Sequence, residues 1–235
     1  MTNETSPGRR AVRLGIALAV GAAILVDLMF LVDIYAGNRT IDLFNLDEGG
    51  LVTWASSSAT FAVAVIALLL SFIDPTQQWR GVALAVGTAY MSFDDAEVIH
   101  ERLASEVTGA LGIAESYDQV VWPIFYFPLL AAVALLLLQL GQRTPVSRRL
   151  IVVGLGCLAL GVVLEVTGIG LDKLDYGPES WPRTLEAILE EGIELAGWIL
   201  IATGAAVRVI TLVDSRPSDP PADAPSPTFT ALGSQ

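Results

Sequence analysis

Six apolar runs, each near the length that crosses a bilayer, leave this chain few ways to fold. They cover residues 11–36, 51–72, 80–105, 120–140, 150–171 and 184–212, and a transmembrane helix needs about 20 predominantly apolar residues. Only 16% of the chain is charged, against about 25% in an ordinary soluble protein. The pattern predicts an all-α polytopic bundle of six transmembrane helices over 11–212. A cytoplasmic N-terminal segment (1–10) precedes it. A disordered cytoplasmic tail (213–235), rich in Pro, Ser and Asp, follows it. The first run lies behind Arg9, Arg10 and Arg13 like the start of a signal peptide. It is longer than the ~7–15 residues of an h-region, so it reads as a retained span. The single Cys157 excludes a disulfide framework. No basic face for nucleic acid is present.

Six spans put both termini on one side. That side then collects Arg9, Arg10, Arg13, Arg80, Arg143, Arg148, Arg149, Arg208 and Arg216, leaving Arg39, Arg102, Lys173 and Arg183 opposite. Lys and Arg favour short cytoplasmic loops, so both termini are expected in the cytoplasm. The outer loops hold acids instead: Asp42, Asp47, Glu48, Glu106, Glu115, Asp118, Asp172, Asp175 and Glu179. An acidic vestibule of this kind attracts cations, although a solvated rim has the same composition.

The third run ends in Asp94-Asp95-Ala96-Glu97-Val98-Ile99-His100-Glu101, four acids and the chain's only histidine in eight positions. Ionisable groups in a membrane span are costly and mark a functional site by default. On a continuous helix turning about 100° per residue, Asp94, Glu97, His100 and Glu101 share about a third of the circumference, and Asp95 points elsewhere. The last run carries Glu186, Glu190, Glu191 and Glu194, with Glu186, Glu190 and Glu194 within about 80° of one another. Glu165 on the fifth run and Asp27 on the first reach similar depths. No lysine is available there, and Arg102 lies at the edge. Either several of these acids hold protons or a bound cation compensates them.

Glu97-Val98-Ile99-His100 has the Glu-x-x-His spacing of di-iron and di-manganese carboxylate bundles. Those use two such pairs, and this chain has one histidine. The expected metal ligands are Asp94, Glu97, His100, Glu190 and Glu194, with Asp27 and Glu186 as secondary candidates. A donor set of oxygens with one imidazole suits Mn, Fe or Zn, and Ca or Mg if His100 stays outside. In an enzyme, Glu165 or Glu101 is the candidate general base for a metal-bound water, acting on a lipid-like substrate. Sensing is the non-catalytic version of the same site. A second class is a proton- or cation-coupled transporter with the acids as relay. The cytoplasmic halves of the spans are apolar, which argues against a continuous path. A third class is an accessory subunit with a structural polar core, bound to a membrane-protein partner or to its own copies. Its docking face would be the smooth seam of Gly154, Gly161 and Gly168.

Three stretches carry a resemblance. Leu46-Asp47-Glu48-Gly49-Gly50-Leu51-Val52-Thr53-Trp54-Ala55-Ser56-Ser57, the acidic stretch 94–101, and Leu189-Glu190-Glu191-Gly192-Ile193-Glu194-Leu195 are similar to an uncharacterised family of bacterial multipass membrane proteins. Val52 stands where that family has proline, and Asp94-Asp95 stands for Asp-Glu. The resemblance covers residues 40–205 and implies a bacterial inner-membrane location, with no established activity.

Overall fold

A run apolar enough to cross a bilayer would find no water there for its backbone polar groups, and a helix pairs those amides and carbonyls within the run itself. The computed structural model describes residues 7–35, 50–112, 118–177 and 180–215, and all the regular structure there is helical. The helices are α1 (Pro7–Tyr35), α2 (Leu51–Ile73), α3 (Gln78–Glu97), α4 (Ile99–Leu111), α5 (Asp118–Gly141), α6 (Pro145–Lys173) and α7 (Trp181–Asp214). The loop acids Asp42, Asp47, Glu48, Glu115 and Glu179, the extreme N-terminus and the tail from 216 lie outside the described residues, as do the side chains of Asp33, Asp118 and Asp172.

Five of the described helices, α1, α2, α5, α6 and α7, are long and apolar enough to cross a membrane. Leu14, Leu25, Phe61, Phe72, Phe125 and Val163 stand exposed on their flanks. Apolar surface on this scale needs lipid or a partner to cover it. The expected third span, 80–105, is not one helix. Its polar end lowers its mean hydropathy, and the chain breaks at Val98 into α3 and α4.

Helices α1, α3, α5, α6 and α7 each start a few residues before the apolar run that suggested them. Pro145 opens α6, which takes Arg148 and Arg149 out of the expected turn and onto a helix. Pro182 sits in the first turn of α7. Proline suits that position, because the first amides of a helix have no partner within it.

The last helix is the centre of the bundle, with α1, α2, α5 and α6 against it. Trp198, Ile201 and Ala205 of α7 join Val63 and Leu70 of α2, Leu84 of α3, Leu137 of α5 and Ile151 of α6 in the main core. The glycine seam of α6 faces inward. A Cβ on Gly154 would lie 2.7 Å from the carbonyl oxygen of Gly197, so α6 and α7 meet backbone to backbone. The seam expected to dock a partner is therefore used within the chain.

Polar side chains close the end of the bundle where α2 meets α3. Asp74 caps the 3-10 turn Pro75–Gln77, its Oδ1 accepting from the Thr76 amide at 3.1 Å and the Thr76 hydroxyl at 2.6 Å. Its Oδ2 lies 3.5 Å from Nη2 of Arg208 and 3.7 Å from Nη1 of Arg143. Arg208 is buried and also reaches the Thr144 hydroxyl at 3.4 Å. One carboxylate thus ties the α2–α3 turn, the α5–α6 turn and α7.

Gly154→Val is expected to force α6 from α7 and cost about 1–3 kcal/mol, the usual penalty of overpacking. Gly156→Val, on a face with open space beside it, serves as the control. Thermal unfolding in detergent reads the difference, and equal melting temperatures would contradict the close approach.

Candidate functional site

At the opposite end of the bundle, side chains from α2 to α7 enclose a cavity of about 310 Å³. Its carboxylates come from four elements: Asp94 and Asp95 from α3, Glu101 from α4, Glu165 from α6, and Glu190, Glu191 and Glu194 from α7. Against these seven stand only His100 and Arg183 among the lining side chains that can carry positive charge.

The break at Val98 builds much of this site. Val98 has φ 57° and ψ 38°, in the left-handed region. That conformation is a genuine outlier for a β-branched residue, and such strain gathers at functional sites. The Val98 amide still closes α3 by bonding the Asp94 carbonyl, but the chain beyond it turns. His100, six residues after Asp94, comes back to donate from Nδ1 to Asp94 Oδ2 at 2.9 Å. On an unbroken helix the two side chains would diverge by about 120°.

Asp94 is buried, and its second oxygen is also satisfied. The Tyr126 hydroxyl of α5 donates to Oδ1 at 2.7 Å. Tyr126, having given its proton, accepts from Tyr90 at 2.9 Å. Trp122, one turn earlier on α5, donates from Nε1 to Glu165 at 2.6 Å. His100, Trp122 and Tyr126 meet edge to face, with the His100 and Trp122 ring centres 4.7 Å apart. Trp198 lies 3.4 Å from Glu194, one turn before it on α7. The wall is therefore aromatic as well as acidic.

Asp95 departs from the helical-wheel expectation. It lines the cavity, and its Oδ2 accepts from the Ser57 hydroxyl of α2 at 2.6 Å. Glu97 departs in the other direction: it is exposed and outside the cavity. The break separates it from His100, so the Glu-x-x-His spacing does not present both side chains on one helix face. Glu190 and Glu194 reach the cavity together, as do the base candidates Glu101 and Glu165. Glu186 is buried and ion-paired with Arg183, whose guanidinium occupies the space that Gly168 leaves beside it. Asp27 sits on α1 against Gly192 and is not among the side chains that line the cavity. Among the described residues, no three His, Cys, Asp or Glu side chains are grouped so as to hold a metal ion.

Sequence reasoning missed Ser57, Tyr90, Trp122, Tyr126, Arg183 and Trp198. Trp122 and Tyr126 lie four apart at the start of a span, where aromatics commonly sit at a membrane boundary, and their hydrogen bonds to acids leave no trace in the sequence. Arg183 read as a loop cation on the outer side.

The chain belongs to a family described as a domain of unknown function (DUF8692), which matches residues 13–209. No curated protein and no solved structure matches it.

The left-handed turn also makes a stability prediction. Glycine takes φ > 0 without steric cost, whereas within a helix it costs about 1 kcal/mol. Val98→Gly is expected to hold or raise the melting temperature, and Ile99→Gly, one residue into α4, to lower it. Equal losses in both variants would contradict the break.

Proposed function

We propose that this member of the DUF8692 family is a bacterial inner-membrane protein whose acid-lined cavity binds a cation arriving from the outer face. In this reading α3 supplies a sixth span, and both termini lie in the cytoplasm with most of the arginines. One observation carries the proposal: seven carboxylates share a cavity with a single arginine and a single histidine. So uneven a charge in a water-poor place is offset either by protons or by a bound cation.

A divalent metal is the inorganic form of the ligand, Mn, Fe or Zn with His100 among the donors, or Ca or Mg without it. Asp94, Glu190 and Glu194 are the proposed oxygen donors, and Glu97 is outside the set. Because the acids are not grouped in threes, a metal keeping part of its water shell suits them better than a bare ion. The aromatic wall favours a second reading, an organic ammonium. Trp122, Tyr126 and Trp198 line the cavity, and a cation over such rings gains about 0.5–2 kcal/mol. Transport is less well supported, because Leu70, Leu84, Leu137 and Ile201 fill the core toward the opposite end, where Asp74 and Arg208 close it.

Titration calorimetry of the detergent-purified protein with Mn²⁺, Zn²⁺, Ca²⁺ and tetramethylammonium tests this reading. Saturable binding of at least one cation is expected. Glu194→Gln should weaken it roughly tenfold, or about 1.4 kcal/mol. Asp27→Asn, outside the cavity, should leave it unchanged. No saturable binding to any of the four would reject the proposal.

A further inference from the structure

A second hollow lies on the outer surface of the bundle. It is an open furrow of about 560 Å³ between α2 and α3. One stripe of each helix forms it: Thr53, Ser57 and Ser58 on α2, and Ala89, Ser92 and Ala96 on α3. Trp54, Phe61 and Phe93, each more than half exposed, form its rim. It extends from Gly50 to Phe61 along α2, about 16 Å at 1.5 Å per residue.

Two facts connect the furrow to the cavity. Thr53 lines both. Ser57, in the furrow floor, donates its hydroxyl to Asp95 in the cavity wall at 2.6 Å. The furrow and the acidic, aromatic cavity thus adjoin at Thr53 and Ser57. Helix α2 is long and apolar enough to cross a membrane, and in that setting lipid chains would reach the furrow.

Resting on the cation reading of the cavity, we propose that the ligand is an amphiphile. Its single alkyl chain lies in the α2–α3 furrow, and its ammonium head passes Thr53 to the carboxylates and rings within. Charge complementarity selects the head. The rim of Trp54, Phe61 and Phe93 covers the chain. The small residues of the floor leave the width that the chain fills. A transmembrane helix of a partner is the competing occupant. It would use the same floor but has no charged group to send past Thr53.

The test compares dodecyltrimethylammonium with tetramethylammonium. Binding to the protein in nanodiscs of phosphatidylglycerol, a lipid with no ammonium of its own, is measured by calorimetry, with empty nanodiscs subtracted. The chain-bearing probe is expected to bind at least tenfold tighter. Ser58→Trp, at an exposed furrow position, should remove that advantage while leaving tetramethylammonium binding intact. Glu194→Gln should weaken both probes. Equal affinity for the two probes, or an advantage that survives Ser58→Trp, overturns the amphiphile and leaves the cation site standing. Binding of neither probe, with no metal binding either, overturns both. A partner protein held by wild type and lost in Ser58→Trp, with no chain advantage, assigns the furrow to a helix instead.

Discussion

A carboxylate buried among apolar helices must be given a partner, and one end of this bundle is organised by that requirement. Asp94 takes His100 from α4 and Tyr126 from α5. Asp95 takes Ser57 from α2, and Glu165 takes Trp122 from α5. Apolar helix faces slide past one another with little preference in lipid, because no hydrophobic effect drives them together. Directional bonds to acids remove that freedom. They set the register of α2, α3, α4, α5 and α6 around one chamber.

Different means hold the opposite end. There the helices meet through close backbone contact, with Gly204 against the Ser147 carbonyl, and through one carboxylate shared by two arginines. Asp74 meets most of its hydrogen-bonding need within its own turn and turns its other oxygen to Arg208 and Arg143. The result is a closed, well-filled half and a hollow, polar half in the same bundle. The acid-lined cavity thus lies at one end and the tightest packing at the other.

The left-handed turn at Val98 joins local strain to the site. Without it, α3 would continue straight and carry His100 away from Asp94. With it, one short helix returns an imidazole to a buried acid and leaves Glu97 facing outward. A helical wheel assumes an unbroken helix, so it paired Glu97 with His100; Asp95 lies before the break and lines the cavity on the side where α2 offers it the Ser57 hydroxyl. Nothing in Glu97-Val98-Ile99 signals a break, since valine is an unfavourable residue for that conformation. Only contacts made elsewhere in the fold can hold it there.

The sequence by itself determined the helical character of the described residues, five of the six runs long and apolar enough to cross a membrane, and the gathering of acids at the third and last runs. Those are local properties: run length, hydropathy and the position of charge along a helix. Tertiary structure alone decided which acids share a chamber, that Arg183 and three aromatic side chains share it with them, and that the glycine seam is spent within the chain. These depend on how helices rotate and approach one another. That geometry is set by bonds between residues 30 to 45 positions apart, such as Ser57 with Asp95 and Trp122 with Glu165, which no local pattern records.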